Sequence, residues 1–173
     1  MKMIILLIGT FAFCTLSFQS ISQEEKLDHV SSASQTTNIA ERASLECITP
    51  PEKFDTLSDF NGYFHKQNGA SILLLKVEGK SVEDAEKSLS DEYFESINSK
   101  LITKSRMKIN SGDELVIYKL AFEYQQIPFI RYHAFTGDDQ GVLWVISSYR
   151  RMDEDAVEND ILNSFKTLNL EKR

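Results

Sequence analysis

Cysteine is nearly absent from this chain. Only Cys14 and Cys47 occur, and Cys14 falls in a segment read below as removable, so the remaining chain can form no intramolecular disulfide, Cys–Cys metal site or redox pair. Stability must then come from an apolar core. Cys47 lies between Leu45 and Ile48 in an apolar run, where a small buried residue is ordinary, so burial is expected in preference to reactivity. Cations are also in deficit: 19 Lys and Arg against 26 Asp and Glu give a formal charge of −7, which disfavours non-specific binding to nucleic acid or to an anionic membrane. Glycine is limited to 7 residues and proline to 3. None of the glycines builds a phosphate-cradling loop, a nucleotide fingerprint or a Gly-x-Ser-x-Gly elbow. The histidines His29, His65 and His133 have no metal-ligand spacing. Asp138-Asp139 and Asp153-Glu154-Asp155 lack the spaced loop of a calcium site and suit a turn and a helix start. No cofactor, metal ligand or catalytic residue is assigned.

Long hydrophobic runs are missing as well. After Met1-Lys2-Met3 the apolar stretch Ile4 to Leu16 covers about 13 residues, short of the roughly 20 that a permanent membrane span needs. A polar stretch follows, and Ser20-Ile21-Ser22 places small residues before Gln23, which is the pattern of a cleaved export signal. Residues 1–22 are therefore expected to be a signal peptide, with the rest periplasmic or extracellular and without a permanent membrane span. Phe13 stands where a lipid-attachment signal before Cys14 would want Gly, Ala or Ser.

What is present suits one domain: 173 residues, 42% hydrophobic and 26% charged. Residues 23–44 are polar and aperiodic and read as a flexible lead-in; the domain is expected over 45–170. Ser71 to Val77 is apolar on both alternating faces, as in a central strand. Ser81-Val82-Glu83-Asp84 resembles a capping box, and Val82, Ala85, Leu89, Tyr93 and Ile97 make one helical stripe. Leu101 to Ile109 alternates Thr103, Ser105 and Met107 with Lys104, Arg106 and Lys108. Leu115 to Tyr124 and Ile127 to Phe135 flank Gln125-Gln126, which predicts an antiparallel hairpin whose paired residue numbers total 251. Pro128 predicts an edge or a bulge. Val142 to Tyr149 is a further strand, and Val157, Ile161, Phe165 and Leu168 form the inner face of a last helix. The expected order is strand, long loop with some short helix, strand, helix, four strands, helix. This is an α+β plan: a mostly antiparallel sheet of about five to six strands flanked by helices.

Four segments carry a resemblance to a known family. Ile48-Thr49-Pro50-Pro51-Glu52-Lys53-Phe54 looks like an opening strand and its exit, Gly69-Ala70-Ser71-Ile72 like the start of a second strand, Ser81-Val82-Glu83-Asp84 like a helix opening, and Asn163-Ser164-Phe165 like a closing signature. Together they span 45–168 and resemble the PsbP-like family, which includes the extrinsic photosystem subunit, the Ran-binding Mog protein and small exported bacterial proteins. The resemblance implies an α/β/α sandwich and a role in binding or assembly. It assigns no binding residue.

Two candidate surfaces follow from the residues themselves. The predicted hairpin puts Tyr118, Phe122, Tyr124 and Phe129 on one face with Arg131 and His133, and a charged group there needs a partner. Arg131 and His133 are thus candidates for a binding rim. Lys104, Arg106 and Lys108 form a cationic stripe suited to an acidic partner or to a solvated, aggregation-resistant edge. The function expected is an exported, non-enzymatic binding or assembly module that contacts an envelope or secreted protein, or a small apolar ligand, through the sheet face or the basic edge. The alternative is a hydrolase with His133 as general base.

Overall fold

A computed structural model of the chain describes residues 40–57, 59 and 61–172. The expected signal at 1–22 and the lead-in up to residue 39, His29 included, lie outside the described residues. Among the described residues there are eight strands: β1 (Glu41–Arg42), β2 (Phe54–Leu57), β3 (Gly62–His65), β4 (Ser71–Glu78), β5 (Ser99–Lys108), β6 (Glu114–Tyr124), β7 (Ile127–Asp138) and β8 (Gly141–Arg150). Three α-helices accompany them: α1 (Val82–Ser88), α2 (Asp91–Ser96) and α3 (Glu154–Phe165). The sheet runs β2-β3-β4-β8-β7-β6-β5, with β1 beside β4, and every pairing is antiparallel. The chain is α+β with a mostly antiparallel sheet, and it has eight strands where five to six were expected. Among the described residues no helix is long and apolar enough to cross a membrane.

The extra strands arise where the sequence offers no long periodic pattern. Residues 54–65, expected as loop, form a four-residue hairpin arm on each side. Asn61 holds it: at φ 51 its Nδ2 donates to Ala43 O at 2.7 Å and Leu74 O at 2.8 Å. Next to it Gly62 has no alternative, because a Cβ there would lie 2.1 Å from Ile72 O. The expected opening strand at 48–54 does not form before Phe54, since Pro50 and Pro51 cannot donate to a ladder and Lys53 turns at φ 70. Glu41↔Lys76 pairing and buried Ala43 take the folded unit back beyond the boundary expected at Leu45.

The helix expected from Ser81 to Ile97 is two helices. Ser81 caps the first as read, its Oγ accepting from Asp84 N at 3.1 Å while Ser81 N donates to Asp84 Oδ2 at 3.2 Å. Ser90 then starts a second, accepting from Tyr93 N at 3.3 Å, so a second hydroxyl followed by Asp91 and Glu92 breaks the continuous stripe.

The helices cover both sheet faces. Val157, Ile161 and Phe165 of α3 pack with Ile72, Leu74, Leu143 and Val145, and each such burial is worth about 2 kcal/mol; Leu168, expected on the same helix, joins this core from beyond the end of α3 at Phe165. On the opposite face Leu89 and Phe94 pack with Val116, Tyr118, Leu120 and Phe135.

The β6–β7 hairpin has the predicted register throughout, from Tyr124↔Ile127 to Val116↔Phe135. Pro128 lies in an inner strand without a bulge, but at a local edge position, one residue beyond the end of the β7–β8 ladder. Its nitrogen points away from β6 in a non-hydrogen-bonded pair with Glu123, toward a neighbour that has already ended at Phe129↔Arg150. At the tip Gln125 and Gln126 both adopt left-handed backbone, φ 50 and φ 65, a conformation that favours Asn-Gly. Replacing Gln126 by Gly should therefore stabilise the fold by about 1 kcal/mol, or roughly 2–4 °C in thermal unfolding; an unchanged or lowered midpoint would contradict this account of the turn.

Candidate functional site: the basic edge strand

β5 is the last strand of the sheet, and its one ladder runs to β6 from Ser99↔Phe122 to Lys108↔Glu114. Among the described residues nothing pairs its outer edge. A bulge between Leu101 and Thr103 leaves Ile102 without an opposed residue, and this reverses which face each later residue takes. Lys100 opposes Ala121 on the α3 face, whereas Lys104 opposes Tyr118, Arg106 opposes Val116 and Lys108 opposes Glu114 on the α1–α2 face. The three cations of the stripe thus share one face, and Lys100 is left off it.

Glu86 on α1 reaches this stripe. Its carboxylate accepts from Lys104 Nζ at 2.8 Å and from Arg106 Nη2 at 3.0 and 2.9 Å through its two oxygens. Arg106 also donates to Glu114, and Lys104 Nζ lies 5.1 Å above the Tyr118 ring. Lys108 has no ion pair among the described residues. The Glu86 side chain is only 14% exposed, while those of Lys104 and Arg106 are 45% and 47% exposed. Partial burial pushes the Glu86 carboxyl up, but the hydrogen bonds and charge of Lys104 and Arg106 outweigh this and hold it below its ordinary value. In turn the hydrogen bond to Glu86 raises Lys104, and chiefly that to Glu114 raises Arg106. All three groups are charged at neutral pH.

The second candidate pair divides. Arg131 is half-buried, its guanidinium 4.2 Å from the Phe122 ring and its Nε donating to Ser148 Oγ at 3.2 Å. Phe122 stacks on Phe129 at 5.2 Å, so the aromatic face read from the register exists. His133, though on that same face, is not on a rim. It is 1% exposed, with Nδ1 accepting from Trp144 Nε1 at 3.2 Å and the Tyr93 ring of α2 at 6.4 Å. Its Nε2 has no partner among the described residues. Desolvation, with Arg131 adding a smaller effect, lowers its pKa from 6.5 to about 3. The imidazole is therefore neutral and buried against α2, with an indole donating to its Nδ1.

Sequence reasoning missed a third cluster, on the α3 face. Lys119 donates to both Glu154 and Glu158, and Tyr132 donates to Glu158. Burial opposes the Lys119 charge, and the two carboxylates more than restore it. Two signals were available: a lone Lys inside the apolar run Leu115 to Leu120, and two acids four residues apart on one helix face. The arrangement braces α3 to the sheet. Cys47 is fully buried, and desolvation raises its thiol to about 11, so it is no nucleophile at neutral pH. Among the described residues no three His, Cys, Asp or Glu side chains could together hold a metal ion.

No family model and no curated protein matches the chain. Among solved structures the chain is similar to PA94, a Pseudomonas aeruginosa protein of unknown function, with 13% identity and a TM-score of 0.48 over 70% of this chain and 96% of that one.

The geometry around His133 predicts an acid sensitivity with a definite sign. The unfolded chain takes up a proton at this residue below 6.5, while the folded chain resists down to about 3. Stability is therefore unaffected by His133 above 6.5 and is lost as the pH falls, at about 1.4 kcal/mol per pH unit. The groups facing it are Arg131 beside it on β7, Tyr118 of β6 with Lys104 of β5 above its ring, Trp144 of β8 and Tyr93 of α2. Between pH 6.5 and 4.5, before carboxylates titrate, denaturant unfolding of His133→Phe should show a flatter acid slope than the parent chain. Equal slopes would remove His133 as the cause.

Proposed function

We propose that this chain is an exported, non-enzymatic binding module that captures an extended acidic segment of an envelope or secreted protein along β5. One observation carries the reading: a ten-residue terminal strand offers an open backbone edge and three cations on one face, in a chain of net charge −7. An added strand would satisfy the open N–H and C=O groups, while acids at every second position would oppose Lys104, Arg106 and Lys108 at roughly 5 Å. A second copy of the chain fits less well, because two β5 strands side by side would set cation against cation. The bulge at Ile102 and the lysines guard further against self-pairing. An apolar ligand on the sheet face is less well supported, since α1 and α2 already cover the aromatic residues near His133. The resemblance to PsbP-like proteins favours binding or assembly, and the expected signal at 1–22 supports export.

The test uses the full chain and a fluorescein-labelled decapeptide, (Glu-Thr)5. Combined charge reversal at Lys104, Arg106 and Lys108 should weaken binding at least tenfold in anisotropy titrations, equivalent to about 1.4 kcal/mol. Lys108→Glu, which breaks no ion pair among the described residues, should weaken it severalfold while leaving the circular dichroism unchanged. A block peptide of five Glu and five Thr should bind less well than the alternating one. Equal affinity of the parent and reversed chains would defeat the proposal.

A further inference from the structure

Glu86 meets the basic stripe in the way an incoming acid would. It comes from α1, a helix of seven residues with no buried residue of its own, yet its side chain is the most shielded member of the charge cluster. One carboxylate engages two of the three cations at 2.8–3.0 Å and leaves Lys108 free of ion pairs among the described residues. Glu83, one turn earlier on the same helix, is exposed and makes no such contact. The charge of α1 is thus not spread along the stripe but delivered at one position.

We infer that Glu86 is an intramolecular competitor for the basic edge, so that an acidic strand must displace it from Lys104 and Arg106 to bind. This rests on the proposed capture of acidic segments at β5 and adds its regulation. The binding equilibrium is then an exchange of one carboxylate for another, which tempers affinity for isolated acids and favours a ligand that also pairs its backbone with β5. Lys108 offers the first contact, and displacement of Glu86 follows.

Three full chains, the parent, Glu86→Gln and Glu83→Gln, are titrated with (Glu-Thr)5 at low salt. Both variants remove one negative charge from α1, so only the ion pairs distinguish them. Glu86→Gln should bind about fivefold more tightly than the parent, from the release of partly shielded ion pairs, and Glu83→Gln less than twofold more tightly. Equal gains in the two variants overturn the inference while leaving capture at β5 intact. Absence of binding to the parent and to both variants overturns the capture reading itself. A measurement on the parent chain avoids any loss of fold in the variants. The Glu86 carboxyl, followed by NMR through a pH titration, should move from below its ordinary 4.5 to that value or above when the peptide is bound. A Glu86 titration that stays low in the complex shows that the pairs persist, and overturns the inference.

Discussion

Between α3 on one side and α1 with α2 on the other, the strands β4, β8, β7 and β6 have almost no face left for water. Side chains on both faces of these strands must be apolar or find partners inside the protein, because an unpaired charge there is costly. Ile72, Leu74, Leu143, Val145, Val116 and Leu120 meet the first condition. Cations on these strands, such as Lys76, Lys119, Arg131 and Arg150, each have a partner inside the protein, whereas four cations sit together on the strand that ends the sheet. The composition of β5, with Lys100, Lys104, Arg106 and Lys108 and no acid, is the counterpart of that double burial.

The polar residues that do enter the covered region show how narrowly they are tolerated. Lys119 is neutralised by two carboxylates delivered from successive turns of α3, and Arg131 lies over an aromatic face and bonds a serine hydroxyl. His133 has only an indole donor, so it stays neutral and its other nitrogen is unpartnered among the described residues. Each solution depends on an element distant in sequence. A polar residue is accommodated here by tertiary arrangement, and its type alone says little about whether it is a site.

The long strands were readable for a physical reason. Alternation over eight or more residues averages out local exceptions, and the two-residue link at Gln125-Gln126 leaves one hairpin register that keeps both faces consistent. The four apolar residues assigned to the last helix are all buried: Val157, Ile161 and Phe165 recur every four residues along α3, and Leu168 is buried just past its end. The β2–β3 hairpin was not readable. Its arms are short, and its geometry is set by Asn61 bonding to Ala43 and Leu74, contacts between segments that no local pattern links. The break between α1 and α2 was legible in principle, from Ser90 and the acids after it.

The sequence by itself determined the α+β class, the registered hairpin, the alternation that puts Lys104, Arg106 and Lys108 on one side of a strand, and the burial of Cys47. All of these depend on period, composition and turn length, which are local quantities. Tertiary structure alone decided that β5 ends the sheet, that Lys100 lies on the other face, that Glu86 occupies two of the three cations and that His133 is sealed. Strand order, the side to which a bulge turns a residue and the reach of a glutamate from a separate helix are set by packing between distant segments, and no window of the chain contains them.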